Sequence, residues 1–233
     1  MFKRLSILLF CITLSHADYT ITQADEDTLT IEKTAWPVGT SGIVIHKINQ
    51  NHESILSRVE VISNSDDNTK LKMLPFLDLK QEALPTLTRV PVKGDRVRLG
   101  WMHDRILLIA PTEESYDLVS SSQKDKTFIN ADLFAVSISK EGHPSPLKED
   151  FRRFCSDYDI GIIEFVVGQK IFRVDAYAFK VLEKIDVNFP KTKAEVPFYS
   201  RVEKIHADMW GEGSDEIENY ESYYLSLLGE KND

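Results

Sequence analysis

The sequence predicts an α+β protein. A small N-terminal β-barrel or sandwich comes first, then a sandwich-like α/β unit with helices on a mixed sheet, and last a C-terminal helix. Three observations carry this. Short alternating runs fill residues 18–104, separated by polar or glycine-containing turns, as in a small barrel or sandwich. Arg105–Ala110 is continuously apolar, the pattern of a strand covered on both faces, and a helix signal follows at once. Finally, GHPSPLKEDFRRFC and DIGIIEFVVGQKIFRVDAYAFKVLEKIDVN, within 142–188, pass from helical period to period two. That change reads as a helix followed by a three-strand antiparallel meander. The helix has an apolar stripe to cover, and the sheet has a face to cover it with.

The elements follow in order. Met1–Arg4 is a short basic start, Ser6–Leu14 an apolar run, and Ser15-His16-Ala17 a small-x-small site. Together they predict a signal peptide over 1–17, with the mature chain beginning at Asp18. The run is too short for the ~20 apolar residues of a membrane-spanning helix. Residues 18–104 form the expected all-β domain. Thr28–Lys33, Ile43–Ile48, Leu56–Ile62, Lys70–Leu74 and Arg96–Leu99 are its strands, with turns at Gly39–Gly42, Asn64–Asn68 and Gly94-Asp95. Leu79–Pro91, with two prolines, reads as a loop with a helical turn, and His103-Asp104 as a hairpin tip.

Residues 105–233 form the expected α/β domain. Thr112 caps a helix over 113–123, whose leading Glu113 and Glu114 suit the positive end of the helix dipole. Residues 130–140 alternate like a strand, yet Asn130 caps well and Gly142 is a good stop, which favours helix. Ser145 and Pro146 open the next helix, and Leu147, Phe151, Phe154 and Tyr158 make its stripe. Glu195–Val202 is extended and either adds a strand or clasps the core. Ser214-Asp215 opens a last helix with Ile217, Tyr220, Tyr224, Leu225 and Leu228 on one face, ended by Gly229.

Charge and cysteine narrow the function. The chain of 233 residues carries a net charge of −9; loss of Lys3 and Arg4 with the leader makes it −11. Such a balance disfavours nucleic acid and anionic membranes as partners. Cleavage also removes Cys11, so Cys155 becomes the single thiol and no internal disulfide forms. Cys155, beside Phe154 on the apolar side of its helix, reads as a buried small hydrophobe. No catalytic apparatus and no cofactor are expected. The histidines have no i,i+4 partner, Asp25–Asp27 and Asp66–Asn68 lack the spacing of a calcium loop, and no nucleophile elbow or glycine-rich phosphate loop occurs. His143 and Cys155 stand about 15 Å apart along the helix axis, too far to share a proton. Trp210, Tyr220, Tyr223 and Tyr224 offer either a binding face or pins that hold the last helix on the sheet.

Several blocks carry a family resemblance: Ser41–Val44, Gln81–Thr86, the ILLIAP run ending at Pro111, Ala131–Cys155, Asp159–Phe165 and Pro197–Val202. With these the chain resembles the N-terminal domain family of the plasminogen-binding proteins PgbA, exported proteins of Epsilonproteobacteria. The resemblance covers nearly all of the mature chain. It implies a non-enzymatic binder of host plasminogen at the cell surface. Plasminogen's kringle modules recognise a lysine ammonium with a carboxylate, so the resemblance points to Lys191 and Lys193, near Glu195, and to Lys231, close to the C-terminal Asp233. Trp210 and Tyr223 are the aromatic candidates. The alternative is a periplasmic scaffold or assembly module of a cell-envelope complex, loosely similar at the level of fold to the periplasmic modules of TolB and the flagellar T-ring protein.

Overall fold

The strand order of two sheets explains where each apolar run goes. The structure, a computed structural model, describes residues 18–76, 89–190, 192–202, 205 and 213–231. The expected leader and most of the expected loop over Leu79–Pro91 lie outside the described residues.

Six strands, β1 (Asp18–Ala24), β2 (Thr28–Glu32), β3 (Ser41–Lys47), β4 (Glu53–Asn64), β5 (Asn68–Leu74) and β6 (Arg96–Leu99), close into a barrel in the order β1-β2-β5-β4-β3-β6. Every pairing is antiparallel, and β1 against β6 closes the ring. Closure leaves no edge to be capped. Of the two architectures the sequence allowed, the barrel forms. Alternation decides which side chains fill it: Val59 and Val61 of β4 point inward beside Leu29, Leu71 and Val97, while Arg58 and Glu60 point out. Trp36, from the loop before β3, joins this core.

The second sheet has the order β11-β10-β9-β7-β8. Its strand β7 (Arg105–Ile109) runs parallel to both β8 (Thr127–Ile129) and β9 (Ile162–Val167). The meander β9, β10 (Lys170–Asp175) and β11 (Lys180–Asp186) is antiparallel, turning at Gly168-Gln169 as the sequence predicts. Because β7 is internal, both its faces are covered. Leu107 and Ile109 meet Phe134 of α2 (Ala131–Glu141), Phe151 and Phe154 of α3 (Lys148–Asp157), and Tyr220 and Tyr224 of α4 (Tyr220–Leu228). Leu108 meets Val119 of α1 (Glu113–Ser122) on the other face. The result is a mixed sheet between two helical layers.

Four details differ from the sequence reading. Residues 101–104 do turn, but β6 and β7 belong to different sheets, so His103-Asp104 links the two halves and does not tip a hairpin. Strands β1 and β8 are both absent from the expectation; β1 closes the barrel against β6, and β8 brings the chain back alongside β7 after α1. Helix α3 starts two residues later than expected. Ser145 Oγ donates to the carbonyl of Asp215, and the Leu147 N–H is taken by the carboxylate of Asp150 at 2.8 Å. Likewise, α4 starts at Tyr220, where the Asn219 side chain accepts the Ser222 N–H at 2.9 Å, not at Ser214. Glu195–Val202 forms no strand. It clasps the sheet by donating from Glu195 and Tyr199 N–H to the carbonyls of Pro111 and Ala110, and it buries Phe198.

Candidate binding site

The barrel and the sheet meet at one buried carboxylate. Asp175, the last residue of β10, is fully buried. Its Oδ2 accepts the Ser41 N–H of β3 at 2.7 Å and lies 3.1 Å from His103 Nε2. Its Oδ1 accepts the N–H groups of Tyr177 and Ala178 at 3.1 and 2.9 Å. Burial pushes this carboxyl upward, but the His103 contact and the Ala178 and Ser41 N–H groups outweigh it and hold the carboxyl below its ordinary value. His103 stands edge-on to Trp36 of the barrel, ring centroids 5.7 Å apart. Alongside, Gly161 N–H meets the carbonyls of Met102 and Arg105 at 3.1 and 3.2 Å. A Cβ there would lie 2.4 Å from the Met102 carbonyl, so only glycine permits the approach.

Beside this junction opens a cleft of about 740 Å³. One wall is the outer face of the barrel, with Arg58, Glu60 and Phe76; the other is α3, with Arg152 and Arg153, and the turn after β10. The guanidinium of Arg58 sits 4.5 Å from the Tyr177 ring centroid and 5.4 Å from that of Phe76, within the range of cation–π attraction. Arg152 donates to the carbonyls of Tyr177 and Ala178 at 3.3 and 3.4 Å, and Arg153 to Asp150 at 2.9 Å. Cys155 lies on the floor, its thiol pushed far up by burial, so it is a packing group and not a nucleophile. His143 pairs with Asp150 at 2.9 Å and packs on Gly213. Among the described residues no three metal-ligating side chains converge. The cleft can hold a ligand by charge and by aromatic contact.

Of the residues singled out from sequence, the described ones lie elsewhere. Tyr223 donates its hydroxyl to the Pro146 carbonyl at 2.9 Å and stands edge-on to Tyr224, and burial pushes its phenol up to about 12. Tyr220 and Tyr224 are buried, so α4 is pinned to the sheet by its aromatics. Lys193 and Lys231 are exposed, with Glu230, beside Lys231, paired to Lys184 at 2.7 Å. Lys191 and Trp210 lie outside the described residues. Sequence reasoning missed Arg58, Arg152, Arg153 and Asp175, because the cleft joins segments about a hundred residues apart.

The family described as plasminogen-binding protein pgbA N-terminal matches residues 17–228, a span that takes in the barrel, the second sheet and α4. This chain belongs to that family. Plasminogen-binding protein PgbA of Helicobacter pylori strain J99 / ATCC 700824 is 30% identical over 194 residues, 82% of this chain and 42% of the relative. The PgbA protein of strain ATCC 700392 / 26695 matches with the same identity and coverage. The chain thus spans less than half the length of these relatives. Their names are those of binding proteins. No helix among the described residues is long and apolar enough to cross a membrane.

Proposed function

We propose that this chain is an exported, non-enzymatic protein that binds host plasminogen at the cell surface through exposed lysines. The family match over 17–228 carries the reading, supported by two relatives named for plasminogen binding. The leader over 1–17 supplies the export route. Kringle recognition needs an ammonium and a carboxylate close together, and two stretches of the chain are the candidates. At the end of α4, Lys231 follows Glu230, whose carboxylate meets Lys184 at 2.7 Å. In the segment after β11, Lys191 and Lys193 precede Glu195. In the test, residues 18–233 are passed over immobilised plasminogen with and without a lysine analogue. Saturable binding abolished by the analogue is expected, as is a loss of at least tenfold when Lys191, Lys193 and Lys231 are replaced by alanine. Binding indifferent to the analogue, or none, removes the reading.

The cleft at the barrel–sheet junction favours a second reading, that of a scaffold module within the cell envelope. It places the protein in the periplasm with a protein partner there. Its release by mild proteolytic shaving of intact cells would rule this out.

A further inference from the structure

We propose that the cleft between the barrel and α3 binds an extended peptide segment of a protein partner, one that carries a carboxylate side chain next to an apolar or aromatic one. The inference is independent of plasminogen capture, which concerns ammonium groups this chain presents. Here the chain presents guanidinium groups to an acid.

Four observations bear on it. The first is charge. Arg58, Arg152 and Arg153 line the cleft against Glu60 and Asp159, so the lining itself carries one positive charge in excess in a chain of net charge −9, with Glu149, Asp150 and Glu141 flanking Arg152 and Arg153 from outside it. The two lining acids set a limit, because they oppose a polyanion such as nucleic acid while leaving room for one or two carboxylates. The second is donor capacity. A guanidinium has five N–H groups in a planar fork suited to a carboxylate. Arg152 spends Nε and one terminal nitrogen on the carbonyls of its own wall and holds the other 3.7 Å from Glu149, and Arg153 spends one terminal nitrogen on Asp150 and Glu141. Those bonds fix the orientation of both side chains, which are 44% and 45% exposed, and leave further N–H groups for a ligand.

The third is the distribution of surface. Basic groups stand on both walls, and the floor between them is apolar: Ile160, Ala176 and the buried Cys155. An extended chain alternates its side chains, so an acidic residue facing the walls places its neighbour on the floor or against Phe76 and Tyr177. The volume, about 740 Å³, is that of a site for a drug-sized ligand or a short peptide, far more than a single carboxylate needs. The fourth is rigidity. Asp175 and Gly161 lock the walls together, so little is lost in ordering the site when a ligand enters.

The test is selection of a displayed library of random twelve-residue peptides on the full chain. The strongest peptides are then titrated against the wild type, Arg152→Glu and the milder double variant Arg152→Gln/Arg153→Gln, each first checked for an unchanged unfolding midpoint. Enrichment of Asp or Glu beside an apolar residue is expected. So are at least a tenfold loss of affinity in both variants and weakening with salt. The proposal is overturned if no peptide is enriched above background, if enriched peptides lack an acid, or if both variants bind as well as the wild type.

Discussion

Asp175 shows how much one side chain can decide. Its four partners are all donors: two from its own turn, one from the barrel strand β3 and one from the linker. Asparagine in its place must turn an NH₂ group toward one of these pairs, donor against donor. Asp175→Asn is therefore expected to cost about 3 kcal/mol, the scale of breaking a buried, hydrogen-bonded charge, read from urea unfolding at pH 7. The pH dependence has a definite sign. The carboxyl titrates lower in the folded chain than its ordinary value of 3.8, so its contribution is complete above that value and is lost as pH falls through the folded one. The stability gap between wild type and variant should thus stay constant from pH 7 to about 5 and shrink below about 4. A gap that does not change with pH would mean that the ionised form is not what holds the halves. Cys155 gives a second residue-scale check. Buried and with its thiol held protonated, it should resist a water-soluble thiol reagent in the native protein and react fully on unfolding.

At the scale of elements, the start of α3 separates two accounts of one helix. The sequence offers Ser145 as the cap; the structure gives that work to Asp150, which is buried and takes the Leu147 N–H while facing His143 and Arg153. Asp150→Ala should cost about 2 kcal/mol, and Ser145→Ala, which loses one hydrogen bond to Asp215, about 1. Equal losses, or the reverse order, would return the cap to Ser145. The same contrast tells which elements the sequence discloses. Barrel strands are legible because one face is buried and the other wet, which writes period two directly into the chain. Helix α2 is legible despite its alternating Phe134, Val136 and Ile138, since Asn130 and Gly142 fix its ends locally. Strand β8 is not. Three residues are too few for a period, and they are held by parallel pairing with β7, a contact made through α1. Only the logic of a strand followed by a helix, which needs a strand to return to, could have marked it. The cleft is hidden for the same reason. Arg58 and Arg152 have no spacing rule between them, because the docking of a barrel on a helix is not a local event.

For the whole molecule the question is whether barrel and sheet are two folding units, divided near residue 104 as composition suggests, or one. The barrel has its own core around Leu29, Val59 and Leu71, and the sheet has another around Phe134, Phe151 and Phe165. Each could melt separately. Against that, the junction is dry and polar at once. Asp175 is buried among donors from both halves, Gly161 lies against the Met102 backbone, and Gly39 of the barrel loop packs on Lys180 of β11. Separation would give up the bonds from Ser41 and His103 to the Asp175 carboxylate, charge-assisted contacts worth about 1.5–3 kcal/mol each and together a large share of a small domain's stability. We therefore expect barrel and sheet to unfold together. In hydrogen exchange followed by mass spectrometry across a urea series, peptides from β4 and from β9 should lose protection at one midpoint in the wild type. In Asp175→Asn they should part, with the barrel opening first because it has the smaller core. Two midpoints in the wild type would instead make the halves independent domains, joined only by the turn at 100–104.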